Sequence, residues 1–372
     1  MIPFNKPFLV GSEIAYIQQA HDKGQLAGDG FFTKKCHAWF ENYFGCQKAL
    51  LTHSCTAALE IAALLLDLKP GDEVIMPSYT FVSTANAFAL RGAIPVFVDV
   101  DPATLNISPK HVKKAITCKT KAIVPVHYAG VSCDMNLLIS IAREHSLFVV
   151  EDAAQGLLSS YCNRPVGTYG DLSCFSFHET KNIISGEGGA LIINNPNLAD
   201  RAEIIREKGT DRSQFFRGQV DKYSWVDLGS SYLPGELIAA FLWAQLEKAQ
   251  WIISKRLALW EHYDSQIKSY GASSVFRTPS IPDDCEHNGH MYYLIANSFE
   301  ERQKFISYMK LQQIQCVFHY VPLHSSSMGM KISRTSGTME ITQSLSSRLV
   351  RLPLWIGLNT SYVLRAIHNY IN

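Results

Sequence analysis

The chain has 372 residues, 47% hydrophobic and 18% charged, with 34 Lys and Arg against 33 Asp and Glu and a formal charge of +1. At roughly 150 residues per domain, that length suits two or three domains with a sizeable core and argues against disorder. The balanced charge leaves no excess to neutralise phosphates, which argues against a nucleic-acid partner.

Met1–Val10 has no basic segment followed by an apolar run. Leu59–Leu68, the longest greasy stretch, contains Glu60 and Asp67 and is too short to span a bilayer, so no membrane or secretory segment is expected. Nine cysteines lie between Cys36 and Cys316 without a C-x-x-C pair, which reads as reduced thiols in a cytoplasmic protein. From about residue 50 to 195, short Val- and Ile-rich runs alternate with amphipathic stretches, the pattern of an α/β domain with a parallel sheet covered on both faces. The expected strands are Glu73–Met76, Val96–Val98, Ala122–Val126, Leu147–Glu151, Cys174–Phe177 and Ala190–Ile193, and helical spacing marks Val82–Leu90, Pro109–Ile116 and Met135–His145. Gly235–Ser269 reads as one long helical region, with a boundary near residue 250. Beyond it, strand signals at Met291–Ala296 and Cys316–Tyr320, and helices at Phe299–Gln312 and Tyr362–Ile371, suit a smaller α+β domain over residues 251–372. Ser325–Thr342, rich in Ser, Met, Gly and Thr, reads as a loop.

In open α/β sheets, ligands bind beyond the carboxyl ends of the strands, so polar residues that follow apolar runs are the ones to interrogate. Three places stand out. Ser54-Cys55-Thr56-Ala57 opens a helix, where hydroxyls and free N–H groups suit a phosphate, although an ordinary helix cap has the same residues. Glu151-Asp152-Ala153-Ala154-Gln155 puts a carboxylate at a central strand tip, to fix a cation there or simply to cap a helix. Ser173–Asn182, followed by Gly186-Glu187-Gly188-Gly189, delivers Lys181 off a strand into a glycine-rich turn, where crowding can desolvate its amine; alone, such a lysine reads as a solvated charge. Together they supply donors for a phosphate, an anion for a pyridinium nitrogen and an amine for an aldehyde, the three handles of pyridoxal phosphate.

The stretches Pro70–Thr84, Val124–Gly130, Val150–Gln155, Ser176–Asn182 and Gly186–Ala190 carry a resemblance to the DegT/DnrJ/EryC1/StrS family of nucleotide-sugar aminotransferases, which runs from Ile2 to Leu354. Within that family, Phe215–Tyr223 and Val317–His324 look closest to transaminases that aminate C4 of dTDP-4-keto-6-deoxy-D-glucose. The resemblance implies an aspartate-aminotransferase-like fold of type I, with a large mixed-sheet α/β domain over residues 1–250 and the smaller α+β domain. It implies pyridoxal 5'-phosphate as cofactor, L-glutamate as donor, and a dTDP-4-amino-4,6-dideoxyhexose as product, for O-antigen or another surface polysaccharide.

Carried over residue by residue, it makes Lys181 the lysine that bonds the cofactor aldehyde and the acid/base. Asp152 partners the ring nitrogen, Gln155 meets the ring's phenolic oxygen, and Phe81 covers the ring face, unless Phe81 is a core residue. Ser176 and the Cys55–Thr56 backbone hold the phosphate. Ser231 stands where many relatives have an asparagine that reaches the phosphate from a neighbouring subunit, so the resemblance also implies at least a homodimer, with Ser12–Tyr43 and Arg217–Tyr232 facing the partner.

His287-x-x-His290 and His319-x4-His324 lack acidic or cysteine partners at metal-ligand offsets, so no metal is expected. Arg206, Lys208, Arg212 and Arg217 form a basic cluster, read either as a solvated face or as charges near a substrate diphosphate. Three rivals stay open: a C3-aminating transaminase, a non-catalytic regulator that keeps the fold, and an oxidoreductase on a dinucleotide-binding fold. The oxidoreductase lacks a G-x-G-x-x-G after a first strand.

Overall fold

The computed structural model describes residues 1–271 and 275–372. Two helices, α1 (Glu13–Asp22) and α2 (Phe31–Phe44), lead into β1 (Lys48–Thr52). Strand and helix then alternate: α3 (Cys55–Leu65), β2 (Glu73–Pro77), α4 (Val82–Ala89), β3 (Ile94–Val98), α5 (Pro109–Ala115), β4 (Thr120–Ile123), α6 (Met135–Glu144) and β5 (Phe148–Asp152). Two-residue strands β6 (Ser160–Tyr161) and β7 (Arg164–Pro165) precede β8 (Leu172–Ser176) and β9 (Gly189–Ile193).

These strands form one sheet in the order β1-β9-β8-β5-β4-β2-β3, with Arg334–Ser336 as an eighth strand at the far edge. The pairs from β3 to β8 are parallel and those of β9 with β8 and β1 antiparallel, so the sheet is mixed. Strands β2 to β5 and β8 are almost wholly buried, as continuous apolar runs with helices on both faces require. The fourth strand ends earlier than its Ala122–Val126 pattern predicts. Pro125 has no N–H to donate, and only Val126 rejoins, through an isolated bridge to Asp152.

The chain continues through α7 (Ala199–Arg206) and α8 (Arg212–Phe216) to a helical region that is two helices rather than one, α9 (Glu236–Glu247) and α10 (Ala249–Ser269). The break is at Lys248 (φ −112°, ψ 10°), whose N–H bonds the Gln245 carbonyl three residues back and tightens the last turn out of α geometry.

Next come β10 (Phe276–Arg277), β11 (Cys285–Glu286), β12 (Tyr292–Ala296), α11 (Phe299–Leu311), α12 (Gly329–Ile332), β13 (Arg334–Ser336), α13 (Glu340–Arg348), β14 (Leu349–Leu352) and α14 (Thr360–Ile371). A second sheet, β10-β12-β14, has its own apolar core with Trp260 and Tyr263 of α10, Phe305 of α11 and Val363 of α14. A third pairs β11 with β6 and β7.

Two expectations for this region need correction. Cys316–Tyr320 is not a strand: only Val317 pairs, with Arg351, while His319 bonds Tyr128 and Tyr320 bonds Gln155 across the cleft instead of continuing the ladder. Ser325–Thr342 is not simply a loop, since it holds α12, β13 and the start of α13. Its β13 returns to the edge of the large sheet, where Arg334 donates two 2.7 Å bonds to the Glu73 carboxylate.

The start of α2 is secured from a distance. Glu236, 1% exposed, accepts hydrogen bonds from the N–H groups of Gly30 (3.0 Å), Phe32 (2.8 Å) and Thr33 (3.1 Å) and from the Thr33 hydroxyl, so one carboxylate satisfies three free donors at a helix N-terminus. Glu236→Ala strands those buried donors, and urea unfolding of the variant is expected to show a loss of about 2–4 kcal/mol; an unchanged midpoint would contradict this cap.

Candidate active site

The strand order reverses between β2 and β4, and the carboxyl ends of β2, β4, β5 and β8 open there into a cleft of about 800 Å³. Cys55, Thr56, Phe81, Asp152, Gln155, Ser176 and Lys181 all line it. Ser231 does not. It lies exposed on the segment after α8 and forms an isolated bridge with Glu207, and it is not among the residues that line the cleft.

Helix α3 supplies the donor end of the cleft. Ser54 caps it by accepting from the Ala57 N–H (3.1 Å), and among the described residues the Cys55 and Thr56 N–H groups have no hydrogen-bond acceptor. Thr56 and Ser83 share a 2.8 Å hydroxyl contact beside them. Gly189, paired with Thr52 across β9 and β1, runs against this turn: a Cβ there would sit 2.4 Å from the Ser54 carbonyl carbon and 2.5 Å from the Cys55 nitrogen. Only glycine permits so close a backbone approach.

Asp152 ends β5, 5% exposed. Its Oδ2 accepts from the Thr84 hydroxyl (2.6 Å) and its Oδ1 from the Ala154 N–H (3.2 Å), and Thr80 in turn contacts Thr84 at 2.8 Å. These bonds orient the carboxylate and leave it facing the cleft.

Lys181 follows β8 in a turn closed by its own N–H to the His178 carbonyl (2.9 Å). Burial holds its amine below the usual lysine range; Arg351 adds to that, while the Cys55 and Asp152 side chains oppose it. Gln155 is held at both ends, its Oε1 accepting from Ala129 N–H (2.7 Å) and its Nε2 donating to Tyr320 Oη (2.9 Å). Phe81, just before α4, is 57% exposed with its ring 6.3 Å from that of Tyr320, so it is not a core residue.

Several lining residues escaped the sequence reading. Tyr320 and His319 reach the cleft from the misread strand segment, and Arg351 reaches it from β14. His319 bonds Tyr128 Oη (2.7 Å) and stacks on Tyr320, and burial pushes its pKa well down, as it does for His290, which bonds Asn182 (3.1 Å). The Val317–His324 stretch was legible as a family-like segment, but its side-chain partners are far away in sequence. His287 packs on Trp260 and His324 bonds Ser78, and among the described residues no group of three or more His, Cys, Asp or Glu is placed to hold a metal.

The basic cluster does not serve its own cleft. Arg206 is 2% exposed, with its guanidinium paired to Asp29 (2.8 and 3.0 Å) and to the Leu51 carbonyl. Arg217 pairs with Glu203 (2.8 Å), and Arg212 lies over the Phe216 ring. The Gly28-Asp29-Gly30 glycines lie before the first strand, where a dinucleotide fingerprint has no use.

Known proteins place this arrangement. The chain belongs to the DegT/DnrJ/EryC1/StrS aminotransferase family, matched over residues 8–370. It is 32% identical to the GDP-perosamine synthase of Escherichia coli O157:H7 over 98% of this chain and 96% of that protein. It is 33% identical to the spore coat polysaccharide biosynthesis protein SpsC of Bacillus subtilis, over 87% of this chain and 84% of that one. Among solved structures, the aminotransferase TlmJ of Streptoalloteichus hindustanus superposes with a TM-score of 0.89 at 29% identity, covering 99% and 98% of the two chains. DesV of S. venezuelae gives 0.88 at 29%, covering 97% and 94%. The protein is a sugar aminotransferase with the fold of the pyridoxal phosphate-dependent aminotransferases, and its cofactor is pyridoxal 5'-phosphate.

The side chains of the cleft fit that group: free N–H groups and hydroxyls for a phosphate, an oriented carboxylate for a ring nitrogen, and a desolvated amine. Because burial favours the uncharged amine, Lys181 in cofactor-free protein is expected to react with an amine-specific label at lower pH than exposed lysines such as Lys110 do. Peptide mapping across a pH series checks this; labelling of Lys181 only at the pH of exposed lysines would contradict it.

Proposed function

We propose that the protein transfers the amino group of L-glutamate to C4 of dTDP-4-keto-6-deoxy-D-glucose. The product is a dTDP-4-amino-4,6-dideoxyhexose, the glucose or galactose epimer, for O-antigen or a related surface polysaccharide. The observation that carries the amino transfer is the meeting of the Lys181 amine and the Asp152 carboxylate in one cleft beside the unsatisfied N–H groups of α3.

When bound, pyridoxal phosphate supplies an electron sink for charge that develops on the carbon losing its proton. Lys181, held below its usual pKa, takes the proton from the donor α-carbon and returns it at C4′ of the cofactor; in the second half-reaction it moves a proton the other way. Asp152, fixed by Thr84 and Ala154, holds a proton on the ring nitrogen. Gln155 has one N–H beyond the one given to Tyr320, which suits the ring's phenolic oxygen. Ser176 and the Cys55 and Thr56 N–H groups hold the phosphate, and Phe81 covers one ring face.

We take residues 1–250 and 251–372 as the two working units and a cytoplasmic homodimer as the active form. The exposed Phe216, Tyr223, Trp225, Val226 and Leu228, within or beside the Arg217–Tyr232 segment, support a covered partner face there, which would carry Ser231 to the neighbour's phosphate. Among the described residues no helix is long and apolar enough to cross a membrane.

A second reading, a GDP-linked rather than dTDP-linked keto sugar, is favoured by the similarity to GDP-perosamine synthase over nearly the whole chain. Incubating holoenzyme and L-glutamate with dTDP- and GDP-linked 4-keto-6-deoxyhexoses, and reading ring proton couplings by NMR, separates the readings. The expected product is a C4 amine on the dTDP sugar; no turnover of that 4-keto sugar, or turnover of the GDP sugar alone, would contradict the substrate proposed. Lys181→Ala is expected to abolish transfer, and Asp152→Asn to lower kcat by about a hundredfold or more while cofactor remains bound.

A further inference from the structure

Outside the cleft, one buried group holds more carboxylate than its cations can balance. Arg206, 2% exposed, gives Nη1 and Nη2 to the Asp29 carboxylate (3.0 and 2.8 Å) and Nε to the Leu51 carbonyl (2.6 Å), so its charge is already matched. The next residue, Glu207, is buried as well, and its enclosed Oε2 receives no hydrogen bond from a standing donor among the described residues. Its carboxyl meets the Asp29 carboxylate instead, a contact between acceptors unless one of them carries a proton.

No neighbour supplies the missing positive charge. His37 of α2 is neutral: its Nε2 accepts from the Leu51 N–H (2.9 Å), and burial, with Arg206 beside it, pulls its pKa down to about 3. Lys48 of β1 and Arg217 are both engaged by Glu203. Arg212 of α8 lies over the Phe216 ring and reaches Glu207 only through space. Glu207 also stands at the C-terminus of α7, the negative end of that helix. Burial first, then the hydrogen bond and charge of Asp29, push the Glu207 carboxyl up to about 7 against the pull of Arg206 and Arg212. Against burial, Arg206 and the hydrogen bond from Glu207 hold Asp29 low.

Glu207 is also one side of a narrow neck. Its backbone forms the isolated bridge with Ser231, flanked by the Lys208 N–H to the Ser230 carbonyl (3.0 Å) and the Tyr232 N–H to the Arg206 carbonyl (3.2 Å). The chain then turns sharply through Lys208 (φ 66°) and Gly209 (φ 76°), and a Cβ on Gly209 would lie 1.8 Å from the Asp227 carbonyl oxygen. Everything between, including α8 and the exposed Phe216, Tyr223 and Trp225, is an arm that leaves and returns through this neck.

We infer that Glu207 and Asp29 share one proton, carried on Glu207, and that losing it loosens the neck and frees the arm of residues 208–230. The inference needs neither the amino-transfer reading nor a partner subunit. Once ionised, Glu207 faces the Asp29 carboxylate without a cation of its own, and the contact that held the neck becomes repulsive. Below its ordinary value of 4.5 this carboxyl is protonated whether the chain is folded or not. Between there and about 7 only the unfolded chain gives the proton up, so the group's contribution to stability falls as pH rises and is level beyond.

The test compares full-length holoenzyme of wild type and Glu207→Gln, whose amide keeps the shape of the neutral carboxyl, from about pH 5 to about pH 8. Infrared difference spectra of wild type are expected to show the C=O stretch of a protonated carboxyl that fades as pH passes about 7 and that Glu207→Gln lacks. Amide hydrogen exchange across residues 210–226, corrected for its intrinsic pH dependence, is expected to rise about tenfold in wild type over the same range and to stay level in the variant. The variant is expected to melt with wild type at the acid end and a few degrees above it at the alkaline end. A carboxyl stretch that is missing from wild type, or that persists in Glu207→Gln, would overturn the shared proton. Arm exchange that is level in wild type, or rises equally in both proteins, would overturn the release. A variant that melts below wild type at the alkaline end would make the charged carboxylate the native form and overturn both.

Discussion

A lysine amine desolvated opposite a fixed carboxylate is the constraint around which this fold is arranged. The parallel pairing of β5 with β8 puts Asp152 beside Cys174, so Ser176 emerges just beyond the carboxylate and the following turn brings Lys181 to the same cleft. The β2-to-α4 connection closes the group from the other side: Thr84, on the first turn of α4, ties Asp152 in place. None of these side chains is adjacent in sequence, and the strand order of the sheet is what assembles them.

The later part of the chain completes what the large sheet begins. Tyr320 holds Gln155, His319 bonds Tyr128 and stacks on Tyr320, and Arg351 reaches the cleft from β14, so part of its lining is built from residues late in the chain. The two ends of the cleft accordingly differ in kind. Helix α3 offers neutral N–H groups at a helix N-terminus, suited to a fixed phosphate, whereas the residues late in the chain bring the charged guanidinium of Arg351 to the cleft lining.

Much of this was legible in the sequence, and for definable reasons. The apolar runs of β2 to β5 and β8 are largely buried, so local composition carries the signal; Asp152 stands out as the polar residue that closes one such run, and Lys181 as a lysine in the turn shortly after another. The failures are tertiary. Cys316–Tyr320 looks like a strand but pairs only at Val317 and turns to line the cleft, and polar Arg334–Ser336 becomes a strand in which Arg334 finds Glu73 from 261 residues away. Arg206 read as part of a cationic surface, yet it is buried against Asp29. Tyr320 and Arg351 stayed hidden because nothing near them in sequence marks their partners.

Borohydride reduction of the holoenzyme, followed by peptide mass spectrometry, tests the central claim most directly. The account predicts the mass of reduced pyridoxal phosphate on the peptide containing Lys181 and on no other lysine. Cofactor fixed to a different lysine, or absent from every lysine of protein that remains yellow, would contradict it.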